Sequence, residues 1–388
     1  MKQVFSTVVI IFLLSCSVPE SSEQTTKPNS TLTLYLSKVH QSYYVDAHTD
    51  QMNEVEATKF FEDTLEKSNT VCEMVWGKKK FNKSYIETFI TKQSFGKKPF
   101  EHWGHPLPKM IAGCWNFFRM NDVNPHLDFQ LVKKLYPNVK KDCFSVGLMQ
   151  PYIMHNVLNC ERITVVDIDL RIQHGHWQLL KMFQENKFTD EASLSRNLSS
   201  LNIGWVAFEE QEFGRTMKVN IGSLCKIEKK KYCTEQILEF QKKFTPNLQV
   251  RLFLSFLHDV DYSPLPGTIP VIYFSNALEN IYTSKEEFEQ ILQNIGKSIQ
   301  PQEKAVLVYH AGGQANFGIY EFIKTETSHE IRTICKDAYF GGHNGEYFLY
   351  KTYFEKFYPS KEKIIPCQTH PLLKQEKSNT QEPSGQKI

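Results

Sequence analysis

Four signatures of common chemistry are missing from this sequence. No Gly-x-x-x-x-Gly-Lys-[Ser/Thr] run occurs, so no P-loop is on offer for a nucleoside triphosphate. No Gly-x-Ser-x-Gly elbow occurs either, which disfavours an α/β-hydrolase. Cys-x-x-Cys is absent, which removes the usual zinc ribbon and thioredoxin-type sites. An excess of one charge is lacking too: 45 basic residues stand against 43 acidic ones, for a net charge of +2. A nucleic-acid-binding chain would need a marked basic excess, so no nucleic acid is expected as a partner. The close histidine pairs, His102 with His105 and His174 with His176, supply two ligands each. A metal site needs three or four, and no metal is expected.

What is present begins at the N-terminus. The opening MKQVFSTVVIIFLLSC has one basic residue, Lys2, and an apolar run from Val8 to Leu14. That run is too short to span a bilayer, which takes about 20 apolar residues, and it has the form of a secretory h-region. Leu13-Leu14-Ser15-Cys16 resembles the lipobox of bacterial lipoproteins. The resemblance implies a signal peptide over residues 1–15 and lipidation of Cys16. The chain would then be exported to the cell envelope and anchored to a membrane. Residues 16–32 are rich in Ser, Thr, Pro and Glu, as a flexible tether is. A polar tail over 373–388 is expected to be disordered. The other eight cysteines, 72, 114, 143, 160, 225, 233, 335 and 367, are even in number and permit disulfides in an exported chain. Cys225 and Cys233 suit a local loop closure, whereas Cys143 and Cys160 fit a disulfide or two buried thiols equally well.

From residue 33 to 141 the apolar spacing is helical, as in Val55, Phe60, Phe61 and Leu65, with no evident strand alternation. The character changes at Cys143. A short apolar strand, Cys143–Val146, meets a turn at Gly147, and a helix of about two turns follows with Pro151 in its first turn. A second strand, Arg162–Val166, runs into Asp167. An acid about twenty residues beyond the first glycine of such a β-α-β unit is placed to take ribose hydroxyls, and Asp167 lies twenty residues after Gly147. Further apolar strands follow at Gln249–Leu257, leading to Asp259 and Asp261, at Pro270–Ser275, leading to Asn276, and at Lys304–Tyr309. Ser284 and Glu287 form a capping box for a helix through Ile299. Residues 185–245 read as an insert, with candidate strands at Ile203–Phe208 and Thr216–Ile221. Glu330–Phe340 and Glu346–Lys356, around a glycine-rich turn at 341–345, read as an antiparallel hairpin.

This order of elements, over about 140–358, resembles the class I S-adenosylmethionine-dependent methyltransferase domain. The resemblance implies an α/β, Rossmann-like, mostly parallel sheet with a C-terminal antiparallel hairpin, preceded here by a mainly helical N-terminal region. It also implies a cofactor edge at Gly147, Asp167, Asp259 and Asn276. Ser145 stands where the family usually has an acid, and Leu148, Met149, Gln150 and Pro151 stand where its glycine-rich turn continues. Two functions are therefore expected. One is a membrane-anchored exported protein with a methyltransferase-like domain in a binding or structural role. The other is an active methyltransferase using S-adenosylmethionine. Met149 and Tyr152 would plug the cofactor pocket in the first case and leave it open in the second.

Overall fold

A computed structural model describes residues 32–36, 51–76, 119–201, 219–225, 230–280, 282–341 and 348–374. Cys16, the expected signal peptide, most of the tether, His102, His105 and the tail beyond Lys374 lie outside these residues, as does the expected strand Ile203–Phe208.

The described chain opens with strands β1 (Leu32–Leu36) and β2 (Gln51–Met52), then helices α1 (Glu54–Trp76) and α2 (His126–Leu135). The N-terminal region is thus helical over α1 and α2, yet it also supplies two strands. In β1, Leu32, Leu34 and Leu36 are buried while Thr33 and Tyr35 are not, the period-two pattern of a strand covered on one face. The central unit follows: β3 (Lys140–Ser145), α3 (Gln150–Leu158), β4 (Arg162–Asp167), α4 (Leu170–Gln184), α5 (Glu191–Ser200), α6 (Ile221–Leu224), α7 (Lys230–Lys243) and β5 (Gln249–Leu254). Next come β6 (Thr268–Tyr273), α8 (Lys285–Ser298), β7 (Lys304–His310), β8 (Phe317–Lys324) and β9 (His329–Lys336). The described chain closes with β10 (Tyr339–Gly341), β11 (Phe348–Tyr350), α9 (Tyr353–Phe357) and α10 (Pro371–Lys374).

Nine strands form one sheet in the order β2-β1-β5-β4-β3-β6-β7-β8-β9. The run β1-β5-β4-β3-β6-β7 is parallel throughout. This is an α/β fold with a Rossmann-like sheet. β3 and β4 are buried on both faces over most of their length, as parallel strands between helical layers must be, and the buried Asp142 and Arg162 at their starts pair with each other. One layer holds α2, α3, α4 and α7 against Cys143, Val165, Leu252 and Val271; the other holds α8 and α9 against Phe144, Phe253, Ile272 and Leu307. α8 forms where its cap dictates, with Ser284 and Glu287 closing the capping box and Phe288, Ile291, Leu292 and Ile295 buried along one stripe.

The chain leaves β3 for β4 on one side and later returns to β6 on the other. The sheet therefore has a switch point between the carboxyl ends of β3 and β6, where open α/β sheets bind ligands. Three disulfides brace the body among the described residues: Cys143–Cys160, Cys225–Cys233 and Cys335–Cys367.

The C-terminal hairpin is shorter than its sequence suggests. β9 pairs with β8, a strand within FGIYEFIK that the glycines before it disguise as loop. The separate hairpin is only β10 with β11, and Tyr353–Phe357 is a capped helix rather than strand. Ile221, expected to end a strand, instead begins the helical turn α6, which Asn220 caps.

Candidate functional site

The turn after β3 is built around Gly147, whose φ of +73° is one that side chains rarely tolerate. A Cβ there would also sit 2.5 Å from Gln150 Oε1, so any side chain would have to displace the Gln150 amide. The Gly147 N–H donates to Asp167 Oδ2 at 3.3 Å, and the Asp169 N–H donates to Oδ1 at 3.0 Å. Burial pushes the Asp167 carboxyl up to about 6, and these backbone donors pull it partly back. Asp169 is pushed up to about 8, first by burial and then by the Asp167 charge, while it caps α4 through the N–H groups of Arg171 and Ile172. From below, His176 Nε2 lies 2.9 Å from the Gly147 carbonyl and its Nδ1 lies 2.7 Å from the Tyr152 hydroxyl. Burial drives His176 down to about 4. The ring is therefore neutral at pH 7, donating from Nε2 and accepting at Nδ1.

A cavity of about 350 Å³ opens at the carboxyl ends of the central strands. Its walls are Gly147 and Gln150 from the first turn, Asp167 and Ile168 after β4, and Ser255 to His258 after β5. Ser275 to Ala277 after β6, Glu287 and Ile291 on α8, and Arg119 to Asn121 close it. The volume lies within the usual range for small-molecule sites, about 300–1,000 Å³. Met149 and Tyr152 do not fill it, because both are buried against the helical layer, where Tyr152 packs on Phe183 and Phe240. His258 stacks on Phe256 and approaches Glu287 at 3.8 Å.

Arg119 to Val123 form a strap across this edge. The Met120 N–H donates to the Leu224 carbonyl and the Val123 N–H to the Gln314 carbonyl. Between these anchors Asp122 turns inward to 1 % exposure. It accepts from Gln150 Nε2 (3.0 Å), the Tyr273 hydroxyl (3.0 Å) and Ser275 Oγ (2.8 and 2.9 Å). Ser275 has φ +48°, a left-handed backbone that costs a non-glycine residue about 1 kcal/mol or more. Beneath this network His310 Nδ1 meets Asp128 Oδ2 at 2.7 Å and its Nε2 meets the Gln314 carbonyl at 2.8 Å, both side chains being fully buried. Burial pushes His310 down, but the Asp128 and Asp122 charges together with its hydrogen bonds to Asp128 and the Gln314 carbonyl outweigh it and raise the imidazole to about 9; burial holds Asp128 at about 6. The pair is ionised at pH 7.

Three of the four residues expected at the cofactor edge, Gly147, Asp167 and Asn276, line this one cavity. Asp259 does not. β5 stops at Leu254, where the Ser255 N–H donates to the Asp167 carbonyl, and Leu257–Asp259 form a turn of 3₁₀ helix. That places His258 in the wall and Asp259 outside it. Asp261 accepts from the Ser263 N–H and hydroxyl and so closes its own loop. Asn276 lies over Gly312, where a Cβ would meet its amide nitrogen at 2.5 Å. It thereby clasps the loops after β6 and β7. His174 stacks on Phe61, and no group of three metal-ligating side chains occurs among the described residues. Sequence reasoning missed Asp122, Gln150, Ser275 and the Asp128–His310 pair, and only the polar end of the apolar run PVIYFS hinted at Ser275. No protein-family model matches this chain, and no curated protein does either.

Proposed function

We propose that this chain is an exported, membrane-anchored protein whose Rossmann-like domain binds a small molecule and does not catalyse methyl transfer. The observation that carries the binding role is the 350 Å³ cavity at the switch point, walled by Gly147, Asp167 and Asn276. Three disulfides support export, since such bonds persist in oxidising compartments. The anchor is an acylated Cys16. Changing Cys16→Ala should move the protein from the detergent phase to the soluble fraction, and unchanged partitioning would refute the anchor.

The turn argues against tight binding of S-adenosylmethionine. The Gly147 N–H is already engaged by Asp167, and Pro151 has none to give. Two or three missing ligand hydrogen bonds, each worth about 0.5–1.5 kcal/mol net, weaken a micromolar site by roughly one to three orders of magnitude. One observation favours the second reading, an active S-adenosylmethionine-dependent methyltransferase: Met149 and Tyr152 leave the cavity clear. Calorimetric titration with S-adenosylmethionine decides between them. We expect a dissociation constant weaker than about 100 μM. A low-micromolar constant, abolished by Asp167→Ala, would establish the cofactor site and overturn the non-catalytic reading.

A further inference from the structure

The carboxyl edge presents a second set of ligand-binding groups beside the open cavity, and the chain itself occupies it. Gln150 Nε2, the Tyr273 hydroxyl and Ser275 Oγ belong to two different elements, the first turn of α3 and the end of β6. They flank the switch point and converge on one carboxylate. That carboxylate, Asp122, comes from neither element. It arrives on the strap, 28 residues before Gln150 and 151 before Tyr273. All four side chains are at most 4 % exposed. The Gln150 amide is oriented with its Nε2 donor toward the Asp122 Oδ2 acceptor.

We infer that Gln150, Tyr273 and Ser275 form a carboxylate-binding site and that Asp122 is its built-in occupant, an internal plug in the half of the crevice between β3 and β6. The alternative, that Asp122 merely fastens a loop, leaves two features without a cause. A loop already pinned by backbone hydrogen bonds at Met120 and Val123 has little need of a third fastening. Ser275 also holds a left-handed backbone while its hydroxyl meets both carboxylate oxygens. Strained residues of this kind gather at binding sites. Gln150 and Ser275 also line the open cavity, so a group entering that cavity reaches the donors as soon as Asp122 is withdrawn. The ligand class for the unplugged site is a small carboxylate, held by three donors within a charge-assisted geometry. The inference rests on the reading of this edge as a ligand site, but its test is independent of what fills the larger cavity.

The test is replacement of the missing side chain by a free ion. Asp122→Ala removes the carboxylate and leaves the three donors facing a gap that formate fits. Formate at about a hundred times its dissociation constant should raise the thermal midpoint of the variant by about 4 °C. Sodium chloride at equal ionic strength should not, and the unaltered protein should respond to neither. Adding Ser275→Ala to the variant should weaken formate binding about tenfold. Equal responses to formate and chloride, or equal responses of variant and parent, would overturn the inference. Should Asp122→Ala fail to fold alone, the refolding yield is read against formate concentration: a formate-specific rise supports the plug, and a flat response rejects it. A null titration with S-adenosylmethionine would leave this result standing.

Discussion

The two halves of the carboxyl edge face the same problem, how to satisfy polar groups at strand ends that meet a crevice, and they solve it differently. Beside β4 and β5 the edge is left open. Asp167 takes two N–H groups from its own neighbourhood, and a cavity remains in front of it. Beside β6 and β7 the edge is filled. Asp122 answers Gln150, Tyr273 and Ser275, and Asp128 answers His310 beneath them. The open half keeps a carboxyl in an unfavourable place without neutralising it. The filled half spends two acids to satisfy every donor around them. The hydrogen-bonded acids thus lie in the second half and the open space in the first.

That contrast is sharpest in its response to pH. His310 has its proton held up to about 9 in the folded chain, against an ordinary value of 6.5. A raised basic group contributes its full stability below 6.5 and loses it as pH rises through about 9. Between those limits the filled half should lose up to about 3 kcal/mol, at 1.36 kcal/mol per unit. Urea midpoints measured from pH 6 to 10 should fall across this window, and His310→Gln should flatten the fall. A parent curve that stays level through pH 9 would mean that the filled half draws no stability from the ion pair.

The open half was the more legible in sequence, and the reason is locality. Gly147 and Asp167 belong to one β-α-β unit, so strand period, turn residue and spacing all point to the same edge. Ser284 and Glu287 announced α8 in the same local way. The filled half is assembled from contacts more than a hundred residues apart, such as Asp122 with Ser275 and Asp128 with His310, and no local pattern encodes them. Errors occurred where a local pattern was overridden by a partner. β8 contains a charged Glu321 and a Gly318, and it is a buried strand because Arg332, Lys304 and Tyr136 pair with that glutamate. Gln249–Leu257 reads as one long strand, yet the chain turns after Leu254, and Asp259 is lost from the edge.

The smallest expected effect has the opposite sign from most substitutions, and it belongs to the open half. Asp167 is held at about 6 against an ordinary 3.8, so at pH 7 it is charged at a cost to the fold. The difference of about two units corresponds to roughly 3 kcal/mol. Part of that is returned by solvent, because the side chain is only half-buried. Asp167→Asn removes the charge but can accept only one of the two N–H groups well, which forfeits about 1 kcal/mol. The net expectation is a gain of about 1 kcal/mol at pH 7. An acid with a raised folded value destabilises the fold above that value, and the penalty disappears as pH falls through about 6 toward 3.8. The advantage of the variant should therefore shrink over that range and reverse near its lower end to a deficit of about 1 kcal/mol, the cost of the lost hydrogen bond. Paired urea titrations at pH 7.5 and pH 4.5 measure it. A variant less stable than the parent at both would show that Asp167 is a fastening of the turn, like Asp122 in the filled half, and the contrast between the halves would fail.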